Sequence, residues 1–167
     1  MKKAVILGTN HDIQEGEYLQ DGFKSYLSCL IQQYGIKAVA EEIRDDLEFI
    51  VAKNVCEELV IKHKIIDPNP DEYESLGITH LHQIKYEITT KYEIHDLDDH
   101  PEALTEFSHR KREEHHSIRE NEWLKRILEL NTWPILVIVG SAHFSHFSSL
   151  LLQNDICVTE SESNWTG

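Results

Sequence analysis

At 167 residues and 40% hydrophobic content, the chain holds enough apolar side chains for one well-buried core and too few for two comfortable domains. Thirty Asp and Glu against 16 Lys and Arg leave a net charge of -14, which argues against a protein that grips nucleic-acid phosphates. The densest basic run, His109-Arg110-Lys111-Arg112, meets Glu113 and Glu114 at once, so its field is cancelled on neighbouring helical turns.

In chain order, short apolar runs alternate with longer amphipathic segments, the rhythm of parallel strands joined by crossover helices. Ala4 to Leu7 is predicted as a first buried strand. From Gln14 to Tyr34 the apolar residues Leu19, Phe23, Tyr26, Leu27, Leu30 and Ile31 recur at three and four, a helix that Gly35 stops. Lys37 to Glu42 is a second strand ending in two carboxylates, and Leu47 to Val60 a second helix. Lys64 to Asp67 is a third strand, broken by Pro68 and Pro70. Between Asp71 and His100 lie a short helix, a segment from His80 to Thr90 whose type the pattern leaves open, and the acidic loop Asp96-Leu97-Asp98-Asp99. A long charged helix runs from Glu102 to Leu130, its buried end marked by Ile118, Trp123, Leu124, Ile127 and Leu128. Ile135 to Val139 is the most apolar strand, Phe144, Phe147, Leu150 and Leu151 mark a following helix, and Ile156 to Thr159 a last strand. The expected whole is a single α/β domain over residues 1–160, a mostly parallel sheet flanked by helices, with a polar tail over 161–167 that frays.

No apolar stretch approaches the ~20 residues that span a bilayer, and the run Ala4 to Leu7 ends too soon for the core of a signal peptide. The expectation is a soluble, cytoplasmic protein with no membrane partner. Cys29, Cys56 and Cys157 are odd in number, unevenly spaced and set among apolar neighbours, so they are expected to be buried free thiols.

The two ends of the chain match each other. Val5-Ile6-Leu7-Gly8-Thr9-Asn10-His11 parallels Val137-Ile138-Val139-Gly140-Ser141-Ala142-His143: apolar strand, glycine, two small or polar residues, histidine. Glycine permits a tight turn at a strand end, and the residues after it project into the crevice above a parallel sheet. If the strands are neighbours, two imidazoles converge there, suited to metal ligation or to acid–base work. Taken singly, either histidine is equally a helix-capping or surface residue. The other strand ends add Glu41, Glu42 and Asp67. Side chains alternate along a strand, so only one of Glu41 and Glu42 faces a given side, and Glu41 is preferred. Against these stand a solvated helix start for the glutamates and a turn residue for Asp67.

The long helix adds His116, Arg119, Glu120 and Trp123 on one face. Arg119 is suited to an anionic substrate group or to charge developing in a transition state; its plain alternative is an ion pair with Glu120 or Glu122. His115 and His116 are expected to be exposed. The run His95-Asp96-Leu97-Asp98-Asp99-His100 lacks the glycine and distal glutamate of a calcium loop, and His143 with His146 lacks the intervening glutamate of a zinc-protease helix. Serine-hydrolase elbow, phosphate-binding loop and dinucleotide fingerprint are all missing.

The order of these features resembles the TraB/Tiki and erythromycin esterase/ChaN-like superfamily. Gly8 and His11 match its first motif, Glu41 or Glu42 its acidic position, Arg119 its helix arginine, and Gly140 and His143 its second motif. The resemblance implies a duplicated α/β fold and activities that range over metal-dependent proteolysis, macrolide ester hydrolysis and iron or haem binding. It therefore implies catalytic roles for His11, Glu41, Glu42, Arg119 and His143. A divalent metal of unspecified identity would sit on His11, Glu41 and His143. The leading expectation is a hydrolase acting on an ester, peptide or phosphate bond of a small-molecule or peptide substrate, with or without the metal. The alternatives are an iron, haem or small-ligand binding protein of the ChaN type, and an acidic protein-interaction module.

Overall fold

A computed structural model describes residues 1–167. The chain forms a five-stranded, all-parallel sheet flanked by helices, the α/β architecture that the alternating pattern predicts. It divides into two compact units: the sheet unit, residues 1–67 and 123–167, and a helical unit, residues 68–122. No helix is long and apolar enough to cross a membrane.

In the sheet unit β1 is Lys3–Thr9, β2 Ala38–Glu41, β3 Lys62–Ile65, β4 Ile135–Gly140 and β5 Cys157–Glu160, in the order β3-β2-β4-β1-β5. β1 and β4 are hydrogen-bonded neighbours with Gly8 opposite Val139 and Thr9 opposite Gly140. The duplicated motifs therefore end side by side. β2 flanks β4, with Glu41 opposite Ile138, which brings the glutamate pair to the same edge. Both faces of the sheet are covered, so its central strands are apolar throughout. One face carries Val5, Leu7, Val39, Leu136 and Ile138 into a core with Phe23, Leu27 and Val55. The other carries Ala4, Ile6, Ala40, Val137 and Val139 against Trp123, Ile127 and Phe147.

The first core is closed by α2 (Gln20–Tyr34) and α3 (Val51–Leu59), preceded by the one-turn helix α1 (His11–Gln14). The segment that separates α1 from α2 was predicted as helix; Gly16 and Leu19 both adopt positive φ there and break it. Gly35 ends α2 as expected, at φ 61°. The tail is a correction. It does not fray: Gly8 N–H donates to Glu162 O at 2.7 Å, Trp165 N–H donates to Gly8 O at 2.8 Å, and the Trp165 ring packs 5.0 Å from Phe23. The cysteines are also corrected in part. All three are free, but only Cys56 is buried, and burial beside Glu41 pushes its thiol up to about 12.

The helical unit begins with a turn at Pro70–Glu72 and α4 (Tyr73–Leu76), followed by α5 (Leu81–Tyr92), which settles the type of the His80 to Thr90 segment. α6 (Pro101–Arg110) runs through a π-helical stretch, Lys111–His116, into α7 (Ser117–Leu130), whose last turns belong to the sheet unit. The uninterrupted helix predicted from Glu102 to Leu130 thus carries a π-turn, a feature that sequence periodicity does not signal. Ile84, Ile88, Leu97 and Ala103 form the unit's own small core.

Candidate functional site at the carboxyl edge of the sheet

Three residues of the sheet unit meet where β1, β2 and β4 end. His11 opens α1, which Asn10 caps through its side-chain oxygen on Ile13 N–H at 3.1 Å. His143 precedes α8 (Phe144–Gln153). Glu42 follows β2, and its own N–H donates to Ile138 O at 2.8 Å, so the residue continues the sheet ladder. Its buried carboxylate accepts from Gly140 N–H through Oε2 at 2.6 Å, while Oε1 lies 3.8 Å from His11 Nε2. A Cβ placed on Gly140 would sit 3.1 Å from Glu42 Oε2 and 3.8 Å from His143 Cδ2. Glu42 is therefore the point to which both motifs converge.

The two imidazoles are held differently. The His11 side chain is 51% exposed and the Glu42 side chain beside it only 3%. His143 is buried, its ring edge-on to Trp123 at 4.8 Å, and the indole N–H of Trp123 donates to Asp67 Oδ1 at 2.9 Å. Asp67 thus orients the aromatic wall behind His143.

The preference for Glu41 is corrected. Strand alternation sends it to the opposite face, where Oε1 accepts from Gln14 Nε2 at 2.9 Å and Oε2 lies 2.7 Å from His63 Nε2. With Glu41 turned away, His11, Glu41 and His143 do not form a ligand set. No group of three or more His, Cys, Asp or Glu residues is gathered so as to hold a metal ion.

Arg119 belongs to the helical unit. Its guanidinium lies 3.4 Å from His115 Nε2, and His115 Nδ1 lies 2.9 Å from Thr79 O, which fits a neutral His115 donating to Thr79 and accepting from Arg119. His115 is buried, not exposed as expected, and His116 is half-buried. Glu120, named with Glu122 as the plain ion-pair alternative for Arg119, takes a two-pronged bond from Arg112. Arg110 of the same basic run is neutralised as anticipated: it bonds Glu114 at 2.5 Å and Glu87 at 2.8 Å. Those bonds hold the Glu87 and Glu114 carboxyls below their usual range. In the His95 to His100 loop, His100 caps α6 by accepting from Ala103 N–H at 3.2 Å, and Leu97 is core; the loop is a helix entrance. His146 is exposed one turn beyond His143.

Sequence reasoning missed Gln14 and His63. A signal for Gln14 was present, three residues after His11 and hence on the same side of any helix begun there; His63 gave none beyond its place in an alternating edge strand.

No family model, curated protein or solved structure matches this chain.

Proposed function

We propose that the chain is a cytoplasmic hydrolase that uses His11, Glu42 and His143 to cleave an ester, peptide or phosphate bond by acid–base catalysis. The observation that carries this is the buried Glu42 carboxylate set between the Gly140 amide and the His11 imidazole. A carboxylate so placed selects the His11 tautomer that bears its proton on Nε2, leaving Nδ1 as the base. At 3.8 Å the ring nitrogen stands just beyond direct hydrogen-bond reach of the carboxylate, and in this reading the half-exposed ring closes that distance when substrate binds.

In this reading His11 Nδ1 takes a proton from water as the water oxygen adds to the scissile carbon or phosphorus. The same proton passes to the leaving group as the bond to it breaks. Glu42 stabilises the transient imidazolium, and His143, stiffened by Trp123, offers an N–H to the oxygen that gains charge. Three free thiols fit a reducing compartment. The resemblance to the TraB/Tiki and erythromycin esterase/ChaN-like superfamily supports hydrolysis as the reaction class.

The test is a screen of ester, peptide and phosphate substrates with the wild type and with His11→Ala, Glu42→Gln and His143→Ala, alongside metal analysis of each. Loss of one acid–base group is expected to lower kcat/KM about 10²–10⁴-fold. Full activity in all three folded variants would overturn the proposal. Stoichiometric metal that disappears in the histidine variants would replace it with a metal-dependent one.

A further inference from the structure

Gln14, Glu41 and His63 form a buried polar cluster that the proposed reaction leaves unused. Gln14 Nε2 donates to Glu41 Oε1 at 2.9 Å and to Glu42 O at 3.1 Å. Both amide hydrogens are committed, and a flipped amide would set its oxygen against two acceptors, so the orientation is fixed by the network. Gln14 Oε1, fully buried, is then left without a hydrogen-bond partner. Behind it Glu41, itself without solvent exposure, bonds His63, whose side chain is 10% exposed.

Stability does not ask for this arrangement. Three apolar side chains of similar volume would bury no carboxylate and leave no side-chain amide oxygen unpaired, and although the Glu42 carbonyl would lose its Gln14 donor, such replacements are commonly neutral or stabilising. What the cluster does supply is a tie between two elements. Gln14 closes the helix that His11 opens, and one of its two bonds ends on the main chain of Glu42.

We infer that Gln14, braced from behind by the Glu41–His63 pair, is the positioning residue that sets His11 over Glu42, an inference that rests on the proposed use of that pair. Gln14 touches neither substrate nor reacting atoms. It fixes where α1 sits relative to the end of β2, and Glu41 holds the amide in the one orientation that reaches the Glu42 carbonyl.

Gln14→Met and Gln14→Glu in the full chain test this, read by NMR of the His11 ring and the Gly140 amide and, separately, by turnover. Gln14→Met removes both donors. The His11 and Gly140 signals should move away from wild type at every pH, with kcat lowered about 10–100-fold and KM little changed. Gln14→Glu sets a second carboxyl about 3 Å from that of Glu41, where both cannot ionise together. The charged or titratable neighbours are Glu41, His63 and the Cys56 thiol, and the last stays neutral because burial pushes it up to about 12. The one proton that the pair then shares lies between the two carboxyls and leaves no donor for the Glu42 carbonyl, so the tie to Glu42 is lost in this variant as well. Compared with the wild type at the same pH, the Gln14→Glu signals should therefore be displaced as those of Gln14→Met are.

Unmoved His11 and Gly140 signals in a folded Gln14→Met, with only a lower melting temperature, would overturn the inference and leave a purely structural role. If Gln14→Met does not fold, Gln14→Glu decides alone, and His11 and Gly140 signals at their wild-type positions, compared at the same pH, would overturn it. Moved signals with no wild-type turnover on any substrate would sink the hydrolase reading and leave the positioning role standing.

Discussion

The two strand-turn-histidine motifs are alike in sequence and lie side by side, yet their glycines are small for different reasons. At Gly8 an added Cβ would stand 2.0 Å from Ser163 O, a main-chain atom of the tail that crosses the strand end. At Gly140 it would stand 3.1 Å from a carboxylate oxygen of Glu42. One glycine admits backbone; the other admits a functional group. The histidines diverge in the same way: His11 opens a one-turn helix and is half exposed, while His143 is sealed against Trp123. A repeat therefore fixes where two side chains arrive and leaves their environments to whatever else packs nearby.

The sharpest break of that comparison is Gly8→Ala. A clash with main chain is not relieved by turning a side chain, so the tail must leave, and Trp165 leaves with it. The expected cost is about 3–5 kcal/mol in urea unfolding, close to that of Trp165→Ala. The two changes remove the same contact, so the double variant should lose little more than either alone, a coupling nearly as large as one single-variant cost, about 3 kcal/mol or more. Additive losses would mean that the tail and Gly8 stabilise the fold independently.

Gly140→Ala should cost less, about 1–2 kcal/mol, because the opposing atom is the end of a side chain and can give. Its effect belongs at the site. Displacing Glu42 Oε2 breaks the 2.6 Å bond to the Gly140 amide, so that amide proton should lose its downfield shift while the rest of the sheet is unchanged. An unaltered amide shift would show that Glu42 is not held there in solution.

Much of this is legible in the sequence. Gly8 and Gly140, each closing an apolar run, locate both turns, and the alternation of apolar runs with amphipathic helices points to a parallel sheet. Side-chain alternation also states that Glu41 and Glu42 part to opposite faces; it cannot say which face carries the histidines, because the strand end fixes parity only once its register against β4 is known. The tail is misread because six polar or small residues outweigh one tryptophan in any local pattern, whereas Trp165 is held by Phe23 and Tyr26, more than 130 positions away in sequence. His115 is misplaced for a related reason. Histidines in a charged run are usually exposed, and nothing local in the sequence shows that the Thr79 carbonyl, 36 positions away, waits 2.9 Å from His115 Nδ1.

The smallest expected effect on stability, and the one that separates chemistry from packing, comes from the two histidines themselves. Removal of His143 deletes a buried ring in edge contact with Trp123, so His143→Ala should cost about 1–2 kcal/mol. Removal of the half-exposed His11 should change stability by no more than about 0.5 kcal/mol. If the repeat were only a structural device, turnover would follow the same unequal order and His11→Ala would be silent in every assay. If the two motifs build one site on Glu42, the order disappears in kcat/KM, and the variant that costs the fold least loses as much activity as its buried counterpart.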